Sequence, residues 1–178
     1  MNVLTQIYFS PMTLPDADNQ ELLHRIHAAF DVLGIHENCS AVPLVPEGFE
    51  AFRGRKILLV DDADVVFRAF VPALMAVTSG SAIFLKVRDE GALELANLIV
   101  SQSPGIVLMD GELSDHLRGF EVVKVLKVLR PDMTCIGFSS AEGFREAFMR
   151  AGATGFVEKR TGDVWGSLRG VVKVLEKG

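Results

Sequence analysis

The chain has 178 residues, 49% of them hydrophobic, and its 18 Lys and Arg against 23 Asp and Glu give a net charge of −5. That length supports one hydrophobic core and hardly two. No apolar run approaches the ~18 residues that a bilayer crossing needs, the N-terminus lacks the basic start and small-residue cleavage site of a signal peptide, and no basic face advertises nucleic-acid binding, so a cytoplasmic protein without membrane or nucleic-acid partners is expected.

Residues 1–53 carry Arg25 and Arg53 against seven acids, whereas the remainder balances sixteen basic residues with sixteen acidic ones. Residues 3–9 are strand-like, and Asp16 and Asp18 can cap a helix over about residues 18–33. There Leu22, Leu23, Ile26, Ala29, Phe30 and Leu33 recur at helical spacing until Gly34. Such a helix either packs on its own domain or offers its apolar stripe to a partner or a second copy. Pro43, Pro46 and Gly48 mark a linker to about Arg55, too short and polar to hold a core of its own. Residues 1–54 therefore read as an N-terminal extension, and 55–178 as the main domain.

From Lys56 the pattern alternates strand and helix, the signature of βα units and a doubly wound parallel sheet. Strands are expected at 56–60, 82–87, 105–110, 135–138 and 155–158. Helices are expected at 64–77, 90–100, 120–129, 142–151 and 163–176, the first of them kinked by Pro72. The last helix reaches nearly to the end of the sequence, so no output domain is expected behind it. Cys39 and Cys135, the latter inside a strand, are expected to be reduced rather than bridged. His24, His27, His36 and His116 show no ligand spacing.

Four of the strand-like runs end in reactive groups. The run 57–60 stops at Asp61-Asp62, Ile106–Met109 at Asp110, 135–138 at Ser139, and 155–158 at Lys159. In a parallel sheet, ligands collect outside the carboxyl ends of the strands. Side by side, these runs would bring three carboxylates, a hydroxyl and an ammonium to one edge. Mutually repelling carboxylates either raise a pKa or bind a cation, and oxygen-only ligands suit Mg²⁺.

In this order and at these separations the residues resemble the receiver domain of two-component response regulators, over about residues 55–177. The resemblance implies a five-stranded flavodoxin-like sheet of order 2-1-3-4-5, with Asp61 and Asp62 as the acidic pair and Asp110 as phosphoacceptor. It further implies Ser139 as the switch hydroxyl, Lys159 as the lysine that answers the phosphoryl charge, and Phe156 as the aromatic switch. Mg²⁺ would be held by Asp62, Asp110 and the backbone carbonyl of Glu112, with Asp61 acting through water. A sensor histidine kinase or a histidine phosphotransfer protein would supply the phosphoryl group, and a downstream protein would read the altered surface.

The sequence also departs from that family. Arg160 stands where a proline usually follows the lysine, the loop after Asp110 reads GELSDHLRG and is one residue longer, and Glu112 and Ala141 occupy positions that tune how fast phosphate is lost. These departures motivate a second reading, a pseudo-receiver switched by binding alone. A third is a phosphatase of the haloacid-dehalogenase type using Asp62 and Asp64, with Ser139 and Lys159 in support.

Overall fold

Five short runs rich in Ile, Leu, Val and Phe become strands because each is apolar on both sides and can be covered on both faces of one sheet. A computed structural model, describing residues 19–37 and 39–177, shows them as β1 (Ile57–Asp61), β2 (Ile83–Lys86), β3 (Ile106–Met109), β4 (Thr134–Ser139) and β5 (Gly155–Glu158). All neighbours pair in parallel, in the order β2-β1-β3-β4-β5 expected from the sequence. The strand-like segment at residues 3–9 and the capping residues Asp16 and Asp18 lie outside the described residues.

The helices are α1 (Asn19–Leu33), α2 (Asp64–Val77), α3 (Ala92–Gln102), α4 (Gly119–Leu129), α5 (Arg145–Arg150) and α6 (Val164–Leu175). α2 runs unbroken through Pro72. α3 starts two residues later than the sequence suggests, because the Glu90 carboxylate accepts the Arg88 N–H at 2.7 Å and holds that stretch as a turn. The helix expected at 142–151 divides into a 3-10 turn, Glu142–Phe144, and α5.

Alternation along each strand feeds two separate cores. Ile57, Leu59, Ile106, Leu108, Ile136 and Phe138 face α1, α2 and α6, while Leu58, Val60, Val107, Met109, Cys135 and Phe156 face α3, α4 and α5. The apolar stripe of α1, with Leu22, Ile26, Ala29, Phe30 and Leu33 all buried, lies in the first core against α2 and β2. It is spent on its own chain. The segment read as a linker docks as well: Phe52 is fully enclosed, and Phe49 packs on Trp165 of α6 at 5.3 Å beneath the Arg169 guanidinium. Isolated aromatics between Pro46 and Gly54 leave no periodicity for sequence reasoning to find. Both cysteines are free, and burial pushes the Cys135 thiol up to about 11. Among the described residues no helix is long and apolar enough to cross a membrane.

Candidate functional site

β1, β3, β4 and β5 end together at one edge of the sheet, and the residue at or just beyond each end is polar. Asp61 closes β1, Asp110 follows β3, Ser139 closes β4 and Lys159 follows β5. Parallel pairing fixes their proximity. The Asp110 N–H donates to Val60 O at 3.0 Å and the Lys159 N–H to Ser139 O at 3.0 Å, so both side chains leave the sheet from a pinned peptide.

The carboxylates of Asp61, Asp62 and Asp110 each bring an oxygen within 4.8 Å of the others. Lys159, only 6% exposed, drives its ammonium between two of them, donating to Asp61 Oδ2 and, at 2.9 Å, to Asp110 Oδ1. The other oxygen of each aspartate is also engaged. Asp61 Oδ1 accepts the Ala63 N–H at 3.0 Å, and Asp110 Oδ2 accepts the Glu112 N–H at 3.1 Å. Burial raises the Asp61 carboxyl to about 6 despite the opposing pull of Lys159, and Asp110 pushes it further up. Asp62 sits at the open side, and its carboxyl is raised too, by partial burial and by the charges of Asp110 and Glu112.

These groups line a cleft of about 500 Å³, whose walls also include Val65, Ser140, Ala141, Phe144 and Thr161. Ser139 Oγ faces it and accepts the Ala141 N–H at 3.4 Å. The cleft has a tightly fitted floor. A Cβ on Gly111 would lie 2.4 Å from Phe144 Cδ2 and 2.7 Å from Ser139 Oγ, and one on Gly119 would lie 1.8 Å from Asp110 O. The long loop after Asp110 is a small hairpin, closed by a bridge between Glu112 and Arg118 and by Leu113 N–H to Leu117 O at 3.1 Å. Arg118 Nη1 lies 3.1 Å from Glu112 Oε1, so the Glu112 carboxylate has a cation of its own.

All the site residues expected from the sequence therefore meet at this edge except Phe156, which lies deeper. Its ring is buried against Phe148 at 5.8 Å, with the Arg145 guanidinium 4.9 Å from its centre. Asp64, the second aspartate of the phosphatase alternative, falls outside the cluster and pairs with Lys86. Sequence reasoning missed Phe144 and Arg118, whose roles exist only once loops are closed in three dimensions.

No family model matches the sequence, and no curated protein matches it. Solved structures do match. A CheY-like response regulator receiver domain protein from Methanospirillum hungatei aligns at a TM-score of 0.52 and 19% identity, over 70% of this chain and 98% of that one. The fold is the receiver fold. A LuxR-family DNA-binding response regulator from Staphylococcus aureus aligns at 0.52 and 20% identity, over 69% of this chain and 97% of its own. The receiver domain of the histidine kinase CKI1 from Arabidopsis thaliana, complexed with Mg²⁺ and BeF3⁻, aligns at 0.51 and 17% identity, over 73% and 97%.

Proposed function

We propose that this chain is a phosphorylatable receiver: Asp110 takes a phosphoryl group in a cation-dependent reaction, and the change is passed on through protein contacts. One juxtaposition carries this reading, an ammonium between two aspartates with a third beside them at the ends of parallel strands. The donor set suits Mg²⁺, since every available ligand is an oxygen and a single lysine answers three clustered carboxylates. Asp61, Asp62, Asp110 and the Glu112 carbonyl would hold the ion, which when bound supplies charge neutralisation to the phosphoryl oxygens.

A carboxylate oxygen of Asp110 attacks phosphorus in line; the new P–O bond forms as the bond to the donor breaks, and the leaving group departs with the electron pair. Lys159, 2.9 Å from Asp110 Oδ1, meets the negative charge of the arriving group. Ser139 Oγ uses only acceptor capacity toward Ala141, so its O–H is free to donate to the phosphoryl. Drawing Ser139 inward moves the turn bearing Phe144, and the packing of Phe156 under Arg145 relays the shift to the surface of α5, β5 and α6. The donor would be a sensor histidine kinase or a histidine phosphotransfer protein, and the reader a downstream protein.

The test is incubation with acetyl phosphate and Mg²⁺, followed by intact mass measurement. The protein should gain one acid-stable, base-labile phosphoryl group, and should gain none when the metal is chelated beforehand or in Asp110→Asn. A wild-type protein that gains none at millimolar donor would overturn the reading and leave a switch operated by binding alone.

A further inference from the structure

Lys159 acts from the first residue after β5, so the sheet alone does not fix its main chain. On one side its own N–H is tied to Ser139 O. On the other, the chain turns through Arg160, Thr161 and Gly162, all exposed. There the Arg160 N–H donates to Ser167 Oγ at 2.9 Å. Ser167 lies in the first turn of α6 and is 3% exposed, and its hydroxyl donates to Asp163 O at 2.9 Å. Asp163 in turn caps α6 by accepting the Gly166 N–H at 2.9 Å, and its own N–H donates to Arg160 O at 3.1 Å. A serine satisfied within its helix would bond the carbonyl four residues back and stop there. Ser167 does this and also takes an N–H from the loop, so one buried hydroxyl joins the lysine loop to the capped end of a packed helix.

We propose that Ser167 is a positioning residue for Lys159. By fixing the Arg160 peptide it holds the lysine main chain where the ammonium reaches Asp61 and Asp110 together. A lysine has a long, freely rotating stem, and a displacement of about 1 Å at its root is enough to trade a two-carboxylate contact for a one-carboxylate contact. The importance of this for phosphoryl transfer rests on the function proposed above, but the positioning does not.

The experiment reads Lys159 directly. Wild type, Ser167→Ala, Ser167→Cys and Ser167→Thr are exposed briefly to an amine-acylating ester, and labelling at each lysine is followed by peptide mass spectrometry, with phosphoryl uptake from acetyl phosphate measured in parallel. Ala removes the acceptor, and Cys keeps the shape with a poor acceptor. In both, Lys159 should label roughly fivefold faster, in keeping with the loss of one hydrogen bond, while Lys86 and Lys127 label as in wild type. Thr, which keeps the hydroxyl, should retain the protection. Unchanged Lys159 labelling in Ala and Cys, or an equal rise at all three lysines, would overturn the proposal. Faster Lys159 labelling in a protein whose wild type takes no phosphate would uphold the positioning and sink the proposed function instead.

Discussion

Asp61 is fully enclosed, and burial holds its carboxyl at about 6 against an ordinary value of 3.8. A folded value above the unfolded one means that folding favours the protonated acid. The corresponding stability is fully present below about pH 4 and is lost as pH rises through about 6. A rise of that size corresponds to roughly 3 kcal/mol, and the raised Asp62 acts in the same direction. In chelator, Tm should therefore fall between pH 4 and 7; Mg²⁺ should restore it, with an affinity that climbs over the same interval as protons cease to compete. A Tm that is flat across this range in chelator would contradict the arrangement. Lys159→Ala removes the ammonium that answers two buried carboxylates, and should cost about 3 kcal/mol in urea titrations without metal. The same substitution should slow phosphoryl uptake by more than about tenfold, the scale of one charge-stabilising group. At this scale the strand-end aspartates, serine and lysine were legible because position in a parallel sheet dictates where they point. Ser167 and Arg118 were not, because each finds its partner across a loop whose closure no local pattern encodes.

Alternating apolar runs made the strands and most helices readable, since each run had to be covered on a face set by its period. Besides the late start of α3 and the division of the helix expected at 142–151, the start of α4 escaped. The sequence suggests Phe120, but the helix begins at Gly119, whose N–H donates to Gly111 O at 3.1 Å and whose lack of a side chain leaves room for the Asp110 carbonyl. A side chain there would drive a methyl into Asp110 O, which is backbone and cannot yield as a flexible side chain would. Gly119→Ala should therefore destabilise the protein by about 3 kcal/mol, at the upper end for overpacking. It should also lower phosphoryl uptake by displacing Asp110. Gly143→Ala, at a site where a Cβ meets nothing within 4 Å, serves as the control and should leave the urea midpoint unchanged. Equal midpoints for the two variants would show that the Gly119 contact is not a constraint.

Sequence patterning separates an N-terminal extension of residues 1–54 from the domain that follows, yet both pieces share one core. Phe30, Leu33, Phe49 and Phe52 pack with residues of α2 and α6, so that each face of the sheet carries three helices. Enclosing side chains of this size contributes roughly 2 kcal/mol apiece, and losing several at once rivals the whole stability of a domain. Deleting residues 1–53 should therefore strip α2 and part of α6 bare rather than release an autonomous receiver fold. The expected outcome is a fragment with a Tm lower by at least about 10 °C, or one that aggregates, with strong binding of an apolar dye at 25 °C. Phe52→Ala in the full chain isolates one contact from the bulk effect, and should cost about 3 kcal/mol as a large-to-small change in a closed core. A truncated protein that unfolds at the wild-type temperature and takes up phosphate at the wild-type rate would mean that α1 and its following turn ride on the fold without supporting it.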